Sequence, residues 1–297
     1  MGRKRLLYYL LGLCLGFLIL LVMQLPSGEA KMIVCDVGQG DAILITKGSI
    51  QVLIDGGPSS EKVLSCLGAH MPFWDRTIEL IVLTNTDSDH MSGLSNVVER
   101  YHVIQFVTSD GVHDSSTFSH FVQVLATAKV VPRGVERGDT IYVGKQGKLR
   151  FQVLWPPDTR ADYVAVFSNQ IRDSERKQIL IESAKRSDLN DRSVVLLLLE
   201  AHTSVLLTGD AGFQTETALL KTGGLPQIDV LKVGHHGSKY ATSQVFLAAI
   251  RPKLAVISVG AKNTYGHPAP ETLERLSKIG SKVERTDQQG EIVLDLH

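Results

Sequence analysis

Polar side chains collect at several points where an apolar, strand-like run of the sequence ends. Catalytic and binding groups concentrate at such strand-to-loop junctions. Side chains that could do acid–base or metal chemistry dominate these clusters. The clusters are Asp36-Val-Gly-Gln-Gly-Asp41, Ile54-Asp55-Gly-Gly57, Asn85-Thr-Asp87-Ser-Asp89-His90, Thr208-Gly-Asp210, His235-His236-Gly-Ser238 and Tyr265-Gly-His267-Pro268.

The third cluster has the spacing of a cation site. Asn85, Asp87 and Asp89 alternate with short hydroxyl residues, and His90 follows directly. In an extended loop, alternate side chains point to the same side, which would bring an amide and two carboxylates together beside an imidazole. Oxygen and imidazole ligands suit a divalent cation. The alternative is a turn rich in capping residues before a helix that begins near Ser92.

Histidines and one further carboxylate extend this chemistry. Adjacent histidines that follow an apolar strand, as His235 and His236 do, can divide metal binding and proton transfer between them. Asp210 ends the apolar run Val-Leu-Leu-Thr-Gly-Asp, where a carboxylate can bridge metal ions or cap the next helix. His267 lies in a Gly–His–Pro turn. It is either a residue of the site or an ordinary histidine of the turn.

Short apolar runs punctuated by glycine predict the elements that position these clusters. The pattern predicts strands at 31–36, 41–46, 50–55 and 79–84, and helices at 59–70, 117–128, 213–222, 241–250 and 270–279. The polar segment 158–190 is expected to be an insertion or a covering helix, and 283–296 a terminal hairpin. We therefore expect one α/β domain, residues 31–297, with two sheets sandwiched between helices.

The first 30 residues differ from the rest of the chain. Arg3, Lys4 and Arg5 precede a run from Leu6 to Met23 that carries no charge. A run of this length satisfies the ~20 residues that a membrane span needs, and the basic cluster would keep its own side in the cytoplasm. The expectation is a single-pass anchor in the cell membrane, with the domain outside the cytoplasm. A cleaved signal segment ending near Ala30, giving a secreted protein, is the alternative.

Charge and cysteine content exclude several classes of protein. The chain carries 31 basic and 31 acidic residues; without Arg3, Lys4, Arg5 and Glu29 the body carries 28 and 30. A near-neutral body excludes a broad basic face for nucleic acid. Three cysteines are too few for a disulfide scaffold.

Taken in order, the motifs resemble the metallo-β-lactamase-fold domain of the ComEC-type competence (DNA-uptake) proteins. The matching segments, spread over nearly the whole body, are DVGQGDAILI, LIDGG, DSDHMSGL, NDRSVVLLL, LLTGDAG, DVLKVGHHGS, NTYGHPAPETLERL and RTDQQGEIVL. The resemblance implies a four-layer αββα sandwich, preceded here by one N-terminal apolar helix. It also implies metal-dependent hydrolysis at one edge of the two sheets.

The polar clusters and the resemblance together predict roles for individual residues. The expected metal ligands are Asn85, Asp87, Asp89, His90, Asp210 and one of His235 and His236, with His236 taken as the ligand. The expected catalytic residues are Asp89, His235 and His267. The residues expected to brace the site are Asp36, Asp41, Asp55, Asn190 and Ser238.

The sequence departs from the His-x-His-x-Asp-His motif of the wider fold superfamily. Asn85 and Asp87 replace its first two histidines, and the segment Asn190-Asp-Arg-Ser193 replaces the middle one. An oxygen-rich first position favours one or two divalent ions, manganese or magnesium, or a single zinc at the intact second position.

Together with this resemblance, these residues predict an extracytoplasmic metal-dependent hydrolase, in particular a phosphodiesterase or nuclease that acts on DNA. One alternative is hydrolysis of another ester or phosphoester. A second is a non-catalytic module with a degraded metal site that binds DNA or a partner. A single apolar segment cannot form a channel, so a competence-type channel protein is an expected partner, together with the membrane.

Overall fold

The computed structural model describes residues 2–23, 28–110, 112, 115–158, 165–167, 173–184 and 189–297. Two seven-stranded sheets account for all of the described strands. The first has the order β14-β1-β2-β3-β4-β5-β6. Its strands are β1 (Ala30–Val34), β2 (Ile43–Lys47), β3 (Ile50–Ile54), β4 (Thr77–Leu83), β5 (His102–Thr108), β6 (Arg133–Gly134) and β14 (Ile292–Leu296).

The second sheet has the order β13-β12-β11-β10-β9-β8-β7. Its strands are β7 (Thr140–Val143), β8 (Leu149–Trp155), β9 (Val195–Glu200), β10 (Thr203–Leu207), β11 (Val230–Lys232), β12 (Leu254–Ile257) and β13 (Lys282–Arg285). Each sheet has an antiparallel part and a parallel part. The parallel pairs are β3–β4, β4–β5 and β5–β6 in the first sheet, and β10–β11, β11–β12 and β12–β13 in the second.

Side chains alternate between the two faces of each strand and so fill three apolar layers: one between the sheets and one under the helices on each outer face. Met32 and Val34 of β1 pack between the sheets, whereas Ile33 packs under the helices of the first sheet. In β10, Val205 packs between the sheets and Leu206 faces the helices of the second sheet. Strands that bury both faces read as apolar runs because the two faces meet different layers. The predicted two-sheet α/β sandwich is thereby confirmed.

Helices cover both outer faces of the sheets. Ser59 caps the N-terminus of the helix Ser60–His70, because its side chain accepts a hydrogen bond from the Lys62 amide. Ser243 caps the helix Gln244–Ile250 in the same way. The α-helices described in the body are Ser60–His70, Ser88–Met91, Leu94–Arg100, Ser116–Ala128, Asp173–Ala184, Phe213–Thr222, Gln244–Ile250, Pro270–Lys278 and Thr286–Gln289.

The predicted terminal hairpin at 283–296 is wrong. β13 pairs with β12 in the second sheet, β14 pairs with β1 in the first, and the helix Thr286–Gln289 separates them. The Thr286 hydroxyl donates to the Val259 carbonyl at 2.9 Å and fixes this crossing point. Both strands complete a sheet edge, so pairing with each sheet replaces pairing with each other.

Two further expectations meet the structure only in part. Helix Asp173–Ala184 lies within the polar segment 158–190, and residues 159–164, 168–172 and 185–188 lie outside the described residues. The N-terminal run forms helix Gly2–Met23, whose described large apolar side chains are exposed. Among the described residues, no helix combines the length and hydropathy that crossing a bilayer requires. The predicted membrane span is therefore not supported.

Candidate metal centre

Both sheets contribute side chains to one site at the carboxyl ends of their strands. β4 is buried through its last four residues, and the helix Ser88–Met91 follows it, carrying Asp89 and His90. Asp210 follows β10, and His236 follows β11, its parallel neighbour. Parallel strands present their carboxyl ends at one edge, so sequence-distant loops meet there.

Asp89, His90, Asp210 and His236 form the central group, with one ligand atom from each lying within 4.8 Å of the others. His236 Nε2 lies 3.2 Å from Asp89 Oδ2 and 3.5 Å from Asp210 Oδ1. His90 Nε2 lies 3.2 Å from Asp210 Oδ2. His90, Asp210 and His236 are buried, whereas the Asp89 side chain is 31 % exposed. The group is therefore open to solvent on the Asp89 side.

The polar atoms of this group fit a divalent cation. His90 Nε2, Asp210 Oδ1 and His236 Nε2 are buried and make no hydrogen bond of normal geometry with any described residue, although each lies 3.2–3.5 Å from an oppositely charged group of the same cluster. Buried polar atoms normally find hydrogen-bond partners, so their convergence on one point fits a cation-binding site. Two imidazole nitrogens and two carboxylates suit zinc, manganese or iron better than calcium or magnesium.

Each histidine is oriented through its other ring nitrogen. His90 Nδ1 lies 2.8 Å from Asp55 Oδ2, and Asp55 in turn accepts hydrogen bonds from the Thr84 amide at 2.8 Å and the Thr84 hydroxyl at 2.7 Å. His236 Nδ1 lies 2.9 Å from the Ser258 carbonyl oxygen. Partners of this kind hold a ligating imidazole in one tautomer and orientation. The backbone cooperates, because His236 has a positive φ of 52°.

A buried lysine lies directly behind this group. Lys232 Nζ is 2.7 Å from Asp41 Oδ2 and donates to the Val233 carbonyl at 2.9 Å. Asp41 Oδ1 is 3.4 Å from His236 Nδ1, so Asp41 links the lysine to the histidine. Lys232 and Asp41 are each 1 % exposed. Sequence reasoning missed Lys232, whose one signal is a charge inside the apolar strand that precedes the histidine pair.

The carboxylates and imidazoles shift each other's pKa values in opposite directions. Burial alone would lower the pKa of His236, but Asp210 and Asp41 raise it to about 10. Asp210 and Asp55 likewise outweigh burial and raise the pKa of His90 well above its usual value. Burial would raise the pKa of Asp210, yet His90 and His236 hold it well below the usual range. Without a cation, the protons on the two imidazoles therefore balance the carboxylates.

Asp87 is not a member of the central group, and the side-chain amide of Asn85 is engaged elsewhere. The extended loop expected at 85–89 is replaced by a helix that begins at Ser88, with Asp87 at its N-cap position. Buried Asn85 donates from Nδ2 to the Ser193 hydroxyl at 3.2 Å and accepts at Oδ1 from the Asp87 amide at 2.9 Å. The helix breaks the two-residue alternation, so Asp89 and His90 join the central group, whereas Asp87 lines the cavity in front of it.

The bracing residues predicted from the sequence divide into two sets. Asp41 and Asp55 contact the histidines, as described above. Asp36 is 3.7 Å from Lys62 on the surface, and its carboxylate accepts from the Gly38 amide. Ser238 accepts from the Tyr240 amide at 3.3 Å. The Asn190 carbonyl accepts from the Ser193 amide at 3.2 Å. None of these last contacts reaches the central group.

A cavity of about 390 Å³ opens in front of the central group. Its walls include Asp87, Asp89, His235, His267 and the exposed ring of Tyr265. His235 Nε2 is 3.9 Å from Asp210 Oδ2, and the His235 side chain is 34 % exposed. Burial, together with the neighbouring His235 and His236, lowers the pKa of His267. His235 and His267 thus face the cavity, whereas His236 belongs to the central group.

Two other groupings of possible ligands carry less weight. Cys66, His70 and Glu291 come together, but Cys66 is bonded to Cys35 in a disulfide, so its sulfur is not available to a metal. The number of cysteines does not predict this disulfide, which joins positions 31 residues apart in the sequence. Asp41, Asp55 and His90 also come together, and they share His90 with the central group.

Sequence comparisons find relatives that match nearly the whole chain. The chain is 32% identical over 283 residues to "Recombination protein 2" of Haemophilus influenzae, covering 94% of this chain and 30% of that protein. It is 28% identical over 307 residues to "ComE operon protein 3" of Bacillus subtilis, covering 95% of this chain and 35% of that protein. The chain thus spans about a third of the length of these relatives. No family model matches it.

Solved structures with the same fold are much more distant in sequence. The metallo-β-lactamase fold protein YhfI from Bacillus subtilis aligns with a TM-score of 0.57 at 10% identity, covering 90% of this chain and 100% of YhfI. CmlA, a diiron β-hydroxylase from Streptomyces venezuelae, aligns with a TM-score of 0.51 at 14% identity, covering 91% of this chain and 55% of CmlA. The chain therefore has the metallo-β-lactamase fold and is similar, over nearly its whole length, to about a third of "Recombination protein 2" and of "ComE operon protein 3".

Proposed function

We propose that this chain is a metal-dependent phosphodiesterase that cleaves DNA. The observation that carries the proposal is the convergence of Asp89, His90, Asp210 and His236, with three buried atoms that lack hydrogen-bond partners among the described residues. Similarity to "Recombination protein 2" of Haemophilus influenzae and to "Competence protein ComA" of Neisseria gonorrhoeae supports DNA as the substrate. A fold neighbour described as a diphosphatase of the PhnP family, at a TM-score of 0.50 and 12% identity, is consistent with phosphate chemistry on this fold.

The residues of the cavity would divide the work. Asp89, His90, Asp210 and His236 would hold the cation, with Asp55 and Ser258 fixing the two imidazoles. A divalent cation bound there would lower the pKa of an attacking water and neutralise charge on the phosphate. His235, on the cavity side of Asp210, would donate a hydrogen bond from Nε2 to a phosphate oxygen.

His267 is proposed to act on the leaving group. Its lowered pKa favours the neutral imidazole, which would donate a hydrogen bond to the departing oxygen while that oxygen takes its proton from solvent water, without adding a charge that competes with the cation. Asn85 and Asp87 would be a poor second metal position, since the Asn85 amide is engaged by Ser193 and by the backbone. One tightly held cation, zinc or manganese, therefore fits the site better than a pair.

The test is a cleavage assay after chelation and reloading with manganese, zinc or magnesium. Single-stranded DNA, double-stranded DNA and bis-p-nitrophenyl phosphate are offered to the wild type, to Asp89→Ala and to Asp295→Asn. Asp295 is a surface carboxylate paired with Lys31 and serves as the matched control. We expect Asp89→Ala to lose at least ~100-fold in rate and Asp295→Asn to keep the wild-type rate.

Several outcomes would reject the proposal. Intact DNA with every metal would exclude a nuclease, and cleavage of the small phosphodiester alone would indicate a different phosphoester substrate. Purified protein that retains no divalent metal, together with intact substrates, would favour a non-catalytic binding module.

We also propose that the domain works outside the cytoplasm. The buried disulfide Cys35–Cys66 supports this location, because disulfides persist in oxidising compartments and are rare in the cytosol. A channel partner remains a prediction from the family resemblance.

A further inference from the structure

We propose that Tyr265 is a stacking platform for a base of single-stranded DNA at the mouth of the candidate metal centre. This inference rests on the proposed function and specifies the form of its substrate. Tyr265 is 71 % exposed, yet it lines the same cavity as Asp89, Asp210 and His236. A large ring left in solvent beside a catalytic cavity has an open face for a ligand.

The ring is held in place before any ligand arrives. Tyr265 stacks on His267, with ring centres 5.9 Å apart and planes 17° apart. Asn263 ties the loop together: its Nδ2 donates to the Gly260 and His267 carbonyls at 2.8 Å each, and its Oδ1 accepts from the His267 amide at 3.0 Å. A preorganised ring loses little conformational freedom on binding, which strengthens a stacking contact.

The distance from Tyr265 to the metal centre suits a neighbouring nucleotide. The rings of Tyr265, His267 and His235 follow one another at 5.9 Å per step, and His235 Nε2 is 3.9 Å from Asp210. A strand with one phosphate at the central group can therefore place a nearby base on Tyr265. The face of a base inside a duplex is already stacked, so the platform selects unpaired bases or strand ends.

The charge of the cavity explains why such a platform is needed. Its described walls contain Asp87, Asp89 and Asp210, and no lysine or arginine. Proteins that grip single strands usually combine cationic grooves with aromatic stacking. Here the cationic contribution is missing from the described walls, so stacking and the cation must together hold the strand.

Binding is measured on metal-loaded protein with a short oligonucleotide that carries the fluorescent base 2-aminopurine and a hydrolysis-resistant phosphorothioate backbone, so that cleavage cannot interfere. The variants are Tyr265→Ala, Tyr265→Trp and Tyr240→Ala. Tyr240 is 65 % exposed and outside the described cavity walls, which makes it the matched control. An abasic oligonucleotide of the same length tests whether the base itself is recognised.

We expect the wild type to quench the fluorescence and Tyr265→Ala to raise the Kd by roughly 5- to 100-fold, the usual range for one stacked base. Tyr265→Trp and Tyr240→Ala should bind like the wild type, and the abasic strand should bind weakly and equally to all four proteins. The stacking role of Tyr265 would be rejected if Tyr265→Ala weakened binding of the normal and the abasic oligonucleotides equally. It would also be rejected if Tyr265→Ala bound the normal oligonucleotide as tightly as the wild type does.

Cleavage with reloaded metal separates this inference from the proposed function. Base-dependent binding through Tyr265 without cleavage by any metal-loaded form would retain the platform and reject the nuclease. Cleavage with the same KM in the wild type and Tyr265→Ala would retain the nuclease and reject the platform. A duplex with blunt ends bound as tightly as the single strand would also reject it.

Discussion

At the scale of single residues, the negative charge of the carboxylates in the central group can be balanced either by protons on the two histidines or by a bound cation. With no cation, the raised pKa values of His90 and His236 keep both imidazoles protonated beside Asp210. Histidine must be neutral to bind a metal, so a cation would displace these protons and bind more tightly at higher pH. In the metal-free protein, the same protons make the free energy of unfolding depend on pH, and this dependence can be measured.

The metal-free protein should lose stability as the pH rises from about 6.5 towards 10. The pKa of His236 is raised from 6.5 to about 10 on folding, so its contribution is fully present below pH 6.5 and is lost as the pH rises through the folded value. Each such proton contributes a slope of up to ~1.4 kcal/mol per pH unit. Urea unfolding in a chelator between pH 6 and 9.5 measures this dependence.

The control for this experiment is Asp210→Asn, which removes the carboxylate nearest to both imidazoles. Its unfolding free energy should depend less on pH in the same window. A metal-free wild type whose stability stays constant or increases between pH 6.5 and 9.5 would contradict the proton balance.

Lys232 is the residue whose loss should cost the most folding energy around the site. Lys232→Met leaves the buried Asp41 carboxylate without its counter-ion at 2.7 Å. Breaking a buried pair from one side typically costs ~3–5 kcal/mol, whereas an exposed pair is worth at most ~1 kcal/mol. The matched control is Lys253→Met, since Lys253 is 82% exposed and also lies 2.7 Å from its partner, Asp229. Chemical denaturation of both variants gives the comparison.

The double variant Asp41→Asn with Lys232→Met distinguishes an ion pair from packing. It should regain part of the lost stability because no buried charge remains unpaired. A Lys232→Met variant that unfolds at the same urea concentration as Lys253→Met would show that Asp41 does not depend on the lysine.

Much of the site was predictable because its residues follow apolar strands. Asp89, His90, Asp210 and His236 each lie just beyond β4, β10 or β11, and strand ends can be read from hydropathy. Asn85 and Asp87 were grouped with them because the alternation suggested an extended loop, and the short helix at Ser88 was not visible in the pattern. Contacts such as Lys232–Asp41 and Cys35–Cys66 join distant positions and required the fold.

At the scale of elements, the loop after β1 lies so close to the helix Ser88–Met91 that position 40 has no room for a side chain. Asp41 donates its amide to the Asp89 carbonyl at 3.1 Å, which joins the loop after β1 to the helix after β4. A Cβ on Gly40 would lie 2.2 Å from the Asp89 carbonyl oxygen and 2.8 Å from Pro58. Glycine at position 40 therefore sets the position of the helix that carries Asp89 and His90.

Gly40→Ala should disrupt the candidate metal centre, whereas Gly38→Ala should not. Both glycines have positive φ, so both variants suffer backbone strain, but a Cβ at Gly38 meets nothing nearer than 3.6 Å. Overpacking adds ~1–3 kcal/mol, so we expect Gly40→Ala to be less stable than Gly38→Ala by that amount and to bind less metal. Unfolding curves and elemental analysis of the purified variants measure both effects. Equal metal content in the two variants would contradict this assignment.

Pairing of the terminal strands shows what local patterns cannot predict. The segment 283–296 has the strand–turn–strand pattern of a hairpin, yet β13 and β14 complete opposite sheets. Ile292 and Leu296 fill the layer between the sheets beside β1, whereas Val283 packs against the core on the outer side of the second sheet. The free edges of both sheets therefore decide the pairing, and those edges exist only in the assembled sandwich.

At the scale of the whole molecule, the disulfide Cys35–Cys66 joins the first sheet to its covering helices. Cys35 follows β1 and Cys66 lies in helix Ser60–His70, 31 residues later, and both belong to the apolar layer beneath those helices. Closing a loop of this length restricts the unfolded chain and contributes roughly 2–4 kcal/mol in typical proteins. The disulfide should therefore stabilise the sandwich without taking part in the chemistry at its edge.

Cys66→Ser should lower the free energy of unfolding by about 2–4 kcal/mol and leave the metal content unchanged. Cys14→Ser is the matched control, since Cys14 is an exposed free cysteine and its replacement should leave the unfolding free energy unchanged. Thiol titration of the denatured, unreduced wild type should find one of the three cysteines free. Three free thiols in protein exported to an oxidising compartment, or wild-type stability in Cys66→Ser, would contradict a structural disulfide and remove its support for a location outside the cytoplasm.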